Sequence, residues 1–200
     1  MKKILIILLA LSLCFFTVGA VCRSAFAEEL EIYDKTLRLH IPANSDSAED
    51  QAVKLKVRDA VIEYLRQPLS SCSTKDESIK TVQLLSKEIT QVANTILKEE
   101  NKSYTASVSI VNEYYPKKAY DGLTLPAGNY ASLKIELGNA SGQNWWCVLF
   151  PQVCTGSAKP EETLAEVGFT PNQIRILTEH DDYRYVVKFK LLEVIENIFK

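Results

Sequence analysis

Hydrophobic positions along the chain switch between a spacing of two and a spacing of three to four, and each switch marks an expected element. In "TLRLHIP" (36–42), Leu37, Leu39 and Ile41 alternate with Arg38 and His40, the pattern of a half-buried strand that Pro42 stops. "ANSDS" follows as a polar turn rich in capping side chains, with Ser47 three before Asp50 and Asp46 three before Glu49. From residue 48 to 67, Val53, Val57, Val61 and Tyr64 form one stripe, flanked by Ala60 and Leu65, which predicts an amphipathic helix ended by Pro68. Glu49 and Asp50 sit in the first turn, where the helix dipole favours them.

Thr74 and Glu77 make a second capping pair, and Ile79, Val82, Ile89, Val92, Ala93 and Ile96 carry a helical stripe to about Glu100. Tyr104, Ala106, Val108 and Ile110 then alternate with Thr105, Ser107 and Ser109 as a strand does. Residues 130–137 are another, with Leu133, Ile135 and Leu137 facing one way. "GNASGQN" is a Gly-punctuated loop and "WWCVLF" the returning strand, so 130–150 reads as a hairpin. Pro160 opens a short helix that Gly168 closes, Thr170-Pro171 opens another turn, and a terminal helix is expected from Val186 onward. The expected fold is therefore α+β: a small, mostly antiparallel sheet of three to four strands, two long helices and a C-terminal helix.

The N-terminal pattern is different. Lys2 and Lys3 precede a largely apolar run from Ile4 to Cys22, and Ala25-Phe26-Ala27 has the small-x-small form of a cleavage site. Residues 1–27 read as a signal peptide for export, with an uncleaved anchor as the alternative, and 28–200 as one domain. Ser12, Thr17 and Gly19 weaken the run and favour cleavage, and bulky Val21 argues against a lipoprotein at Cys22. Lys2, Lys3 and Arg23 would leave with the signal, so 23 − 3 = 20 Lys+Arg remain against 25 Asp+Glu, a net charge of −5. That balance argues against a nucleic-acid-binding or anionic-membrane surface, and restricts membrane contact to the signal segment.

Candidate chemistry is sparse. Of the two histidines, His40 lies on the polar side of a strand, where a surface or hydrogen-bonding role is preferred to catalysis. Glu179, His180, Asp181 and Asp182 form a ligand-rich tetrad, but a solvated turn capping the last helix explains them without a metal. Asp46, Glu49 and Asp50 lack the glycine and terminal glutamate of a calcium loop, and capping accounts for them. Gly-x-Ser-x-Gly, Cys-x-x-Cys and phosphate-loop motifs are absent, so no catalytic residue, cofactor or small-molecule substrate is expected.

"NWWCVLFPQVC" (144–154) raises a sharper question: nucleophile, half a metal site, or staple. In an exported chain, the near pair Cys147 and Cys154 is read first as a disulfide, leaving Cys72 over. Bridging requires the chain to reverse at Phe150-Pro151-Gln152, because an extended strand would hold the two Cα atoms about 23 Å apart. The staple is preferred to a nucleophile. One tryptophan is expected in the core and the other packed on the sulfurs or exposed as an anchor.

"LHIPANSDSAEDQAVKLKVRDAV", "LPAGNY", "NWWCVLFPQVC" and "VKFKLLEVIE", in that order, closely resemble the stage II sporulation protein R family of endospore-forming bacteria. Two departures are Pro42, where the family pattern has an aliphatic residue, and Gln152-Val153, where it has Pro-Leu. The resemblance implies a secreted signal made in the forespore and exported into the space between forespore and mother cell. There such a protein triggers a membrane-embedded aspartic protease of the mother cell, which processes pro-sigma-E. The surfaces expected to meet that protease are Asn44, Asp46, Glu49, Asp50 and Gln51, as exposed groups at a helix start, and Trp145-Trp146. The competing expectations are a secreted cysteine- or metal-dependent hydrolase and a membrane-anchored structural component of the septum.

Overall fold

The computed structural model describes residues 12–19, 31–153 and 159–178. After a helical turn at 31–34, the chain runs β1 (Leu37–Pro42), α1 (Ala48–Ser70), α2 (Lys75–Leu84), α3 (Ser86–Glu99) and β2 (Ala106–Tyr115). It continues through β3 (Lys118–Tyr120), β4 (Leu123–Leu125), β5 (Gly128–Leu137), β6 (Asn144–Phe150), α4 (Pro160–Glu166) and α5 (Pro171–Thr178). The α+β expectation holds: a four-stranded sheet, mostly antiparallel, carries the long helices, and β3–β4 form a separate two-stranded ribbon.

The helix starts follow the side chains that cap them. Ser47 Oγ accepts from Asp50 N–H (3.1 Å) to open α1, and Thr74 Oγ1 accepts from Glu77 N–H (3.2 Å) to open α2. The Glu77 side chain reaches back one residue beyond the cap and accepts from Ser73 N–H. Asp46 does not cap toward Glu49 and bonds elsewhere. Pro68 does not end α1: it lies in the last turn, where its missing N–H forfeits a single bond and the helix runs on to Ser70. The stripe expected to continue to Glu100 breaks at Leu85 (φ −90°, ψ 10°), so α2 and α3 are separate helices.

Strand order is β2-β5-β1-β6, which overturns the expected 130–150 hairpin. β1 lies between β5, to which it is parallel, and β6, to which it is antiparallel. The "GNASGQN" loop therefore spans a whole strand instead of closing a tight turn. Flanked on both sides, β1 is buried at all six positions and not half-buried as its alternation suggested. Leu37, Leu39 and Ile41 face α1–α3 in the main core with Leu133, Ile135, Leu137, Cys147 and Leu149. A second apolar cluster on the other face joins Ile32, Leu123, Leu125, Val148, Leu164, Phe169 and Leu177.

β2 extends to Tyr115, five residues past the expected alternation, and the β3–β4 ribbon carried no periodic signal. Pro160 opens α4 and Gly168 follows it with φ +82°, as expected. The expected terminal helix, Cys154 and the Glu179–Asp182 tetrad lie outside the described residues. No helix among the described residues is long and apolar enough to cross a membrane.

Candidate functional site

Alternation on β1 sends Arg38 and His40 to the sheet face opposite α1–α3, and this face gathers the unusual chemistry. Arg38 is fully buried. Its Nε donates to Cys147 O (2.9 Å) and its Nη2 to Tyr120 Oη (2.5 Å), while Nη1 has no acceptor among the described residues. Rings take the place of a carboxylate. The guanidinium carbon lies 4.2, 4.9 and 5.6 Å from the ring centroids of Tyr115, Tyr130 and Tyr120. Tyr120 hydroxyl in turn donates to Trp146 O, which ties the β3–β4 ribbon to β6.

Beside the cage, His40 Nδ1 lies 3.0 Å from both oxygens of Glu113, and its Nε2 lies 2.8 Å from Asn144 Oδ1. Burial raises the Glu113 carboxyl, but hydrogen bonds from His40 and Ser132 and the charges of His40 and Lys134 outweigh it, holding it below the usual value. Tyr115 hydroxyl, 2.7 Å from Ser132 Oγ, is pushed up by burial. Rings run in series from Tyr33 through Tyr130, Tyr115 and Trp146 to His40 at centroid separations of 4.8 to 6.0 Å. The order of groups matters. A hydroxyl nucleophile needs the imidazole between it and the acid. Here the carboxylate stands between Ser132 and His40, and Ser132 is fully buried. The cluster holds its shape through these contacts, with His40 buried and Trp146 and Asn144 at its rim.

"ANSDS" forms a clasp. The Asp50 carboxylate accepts from Ser45 Oγ (2.6 Å), Asn44 Nδ2 (2.8 Å) and Tyr104 Oη (2.7 Å), and Lys102 Nζ lies 3.3 Å away. The Ser45 bond leads these in holding the carboxyl far below its ordinary range, against the opposing effect of burial. Asn44 Oδ1 accepts from Asn139 N–H, Asp46 Oδ1 from Gln143 N–H, and Gln51 Nε2 donates to Ser45 O. Lys54 Nζ reaches Gln143 O (3.0 Å). This set grips the 138–143 loop and carries it past the end of β1. Among the expected surface groups, Asp50 is buried at 5% exposure, a correction to its reading as an exposed acid. Glu49 is open to solvent, with Lys102 Nζ 3.2 Å away.

Trp145 and Trp146 fall on opposite faces. Trp145 packs against the main core with Arg58 stacked 4.2 Å over its ring, and its buried Nε1 has no acceptor among the described residues. Trp146 joins the tyrosine row. Cys147 is buried at 4% exposure, and the chain leaves the strand at Phe150 and turns through Pro151, with Val153 N–H donating to Pro151 O. Among the described residues no group of three or more His, Cys, Asp or Glu could hold a metal.

Arg38, Glu113, Tyr115, Tyr120 and Tyr130 were not singled out from the sequence. The available signal was an arginine two residues before a histidine on an interior strand, in a chain with nine tyrosines.

The family described as Stage II sporulation protein R matches residues 33–159. Stage II sporulation protein R of Bacillus subtilis (strain 168) is 37% identical over 123 residues, covering 62% of this chain and 55% of that protein. The chain thus spans about half the length of the curated relative it matches. No solved structure matches. The matched segment contains the arginine cage, the Asp50 clasp and both tryptophans, and the chain belongs to the stage II sporulation protein R family, with a role in sporulation.

Proposed function

We propose that this chain is a secreted intercompartmental signal of endospore formation, which activates the membrane-embedded, sigma-E-processing aspartic protease of the mother cell by binding it. Family membership carries this reading. Two features support it. The N-terminal run from Ile4 to Cys22 suits export, and the richest polar cluster, around Arg38 and Glu113, is arranged for packing and presentation with its only serine hydroxyl buried. A ligand that performs no chemistry acts only through differential affinity. A preference of about 3 kcal/mol for the protease's active arrangement changes its population about a hundredfold.

In this reading the rim of Trp146 and Asn144, and the exposed Asp46 and Glu49 above the clasp, face the protease in the space between forespore and mother cell. A Cys147–Cys154 cross-link holds the end of β6. The test is to co-express the chain with the protease and pro-sigma-E in non-sporulating cells and follow pro-sequence removal by immunoblot. Processing that requires the chain, and falls with Trp146→Ala while folding is kept, is expected. Undiminished processing without the chain would overturn the proposal.

A further inference from the structure

The outer edge of β2 carries a set of hydrogen-bonding groups with a symmetry of its own. Opposite residues in an antiparallel ladder alternate between pairs that exchange both backbone bonds and pairs that exchange none. Gly138 N–H donates to Thr105 O (3.0 Å), which places the odd-numbered residues of this strand in bonded pairs with β5. Ala106, Val108, Ile110, Asn112 and Tyr114 therefore aim their N–H and C=O groups away from the sheet. Ala106 N–H agrees, since it donates to Asn94 Oδ1 (2.8 Å) on α3. That bond closes one end of the edge. Pro116, with no N–H, closes the other.

Among the described residues four with open donors remain, Val108, Ile110, Asn112 and Tyr114, evenly placed about Val111. Such a row is self-complementary under a two-fold axis through Val111. Antiparallel to itself, it opposes Val108 to Tyr114 and Ile110 to Asn112, and every open donor meets an acceptor. Charge agrees with this register. The strand holds no Lys, Arg or Pro, the usual devices that blunt an edge. Its one acid, Glu113, is engaged by His40 and would stand opposite Ser109, so no like charges meet across the seam. Tyr114, 66% exposed with nothing on the sheet to cover it, would lie against a β-branched neighbour. No strand among the described residues pairs with this edge.

We propose that β2 pairs edge to edge with β2 of a second copy of this chain, antiparallel and centred on Val111, continuing the sheet through a two-fold axis. The purified full chain, held in mild detergent so that the apolar N-terminal run does not associate, is examined by size-exclusion chromatography with light scattering. Twice the chain mass is expected, falling to the single mass in Val111→Lys, which sets two ammonium groups face to face on the axis. Circular dichroism shows whether that variant keeps its fold. Val111→Cys is expected to yield a disulfide-linked dimer on mild oxidation, while the wild type treated identically yields none. A wild-type chain of single mass at every concentration, a Val111→Lys chain that remains double, or no cross-link in Val111→Cys overturns the proposal. None of these readouts involves the protease, so the outcome is independent of the function proposed above.

Discussion

Arg38 and Tyr115 are stacked cation on ring, the guanidinium carbon 4.2 Å from the ring centroid, with the arginine fully buried and no carboxylate bonded to it among the described residues. A planar fork is what allows one side chain to serve Cys147 O, Tyr120 hydroxyl and three ring faces together. Lysine keeps the charge and loses the fork, and its ammonium is more costly to dehydrate. Arg38→Lys is therefore expected to destabilise the fold by about 2 kcal/mol or more, measured by urea denaturation. A change below about 0.5 kcal/mol would show that the cage does not depend on guanidinium geometry.

Asp50 makes stability depend on acid. Its folded carboxyl sits far below the unfolded value, so its contribution is fully present above the unfolded pKa, near 3.9, and is lost as pH falls from there toward the folded value. Asp50→Asn should flatten the acid limb of a plot of unfolding free energy against pH. Asp50→Ala, which strands Ser45, Asn44 and Tyr104, is expected to cost about 3 kcal/mol at pH 7.

Gly142 tests the clasp from the loop side. A Cβ there would stand 2.2 Å from Ser45 O, a backbone atom with no rotamer to yield. Gly142→Ala should cost about 2 kcal/mol by thermal or urea unfolding and lower the protection of the 138–143 amides in hydrogen exchange. Unchanged stability would mean that the loop is not held against Ser45.

The two tryptophans should separate. The Trp145 indole N–H is buried without an acceptor among the described residues, so Trp145→Phe discards an unsatisfied donor and is expected to change stability by less than about 1 kcal/mol and leave processing intact. Trp146, at the rim of the Arg38 cluster, is the one whose replacement should reduce pro-sigma-E processing.

For Cys147 and Cys154, mass spectrometry of the chain, if exported as proposed above, is expected to find the pair oxidised and Cys72 as a thiol. Closing an eight-residue loop contributes about 2.5 kcal/mol, lost on reduction. Alkylation of Cys147 in the native, unreduced protein would contradict this.

Much of the chain could be read directly because the deciding interactions are short-range. Ser47 and Thr74 cap partners three residues on, and Val53, Val57, Val61 and Leu65 line up through helical geometry alone. The strands from Leu37, Ala106 and Tyr130 declare themselves by alternation for the same reason. Even the motif "ANSDS" was recognisable, although its work as a clasp was not, since its ligands include Tyr104, Asn139 and Gln143 far along the chain.

What the amino-acid order determined by itself was therefore the local set: helix starts, strand faces, an apolar N-terminal run, and membership in a family whose motifs it carries. Which strand lies beside which was decided only in three dimensions. Alternation in β1 is the same whether its neighbour is a turn-connected strand or a distant one, so the insertion of β1 between β5 and β6 left no trace in it. The Arg38 cage follows from that insertion. Its hydrogen bonds reach 82 and 109 residues along the chain, and they form because the interior position removes water from a guanidinium that must then find carbonyl, hydroxyl and ring partners on other strands.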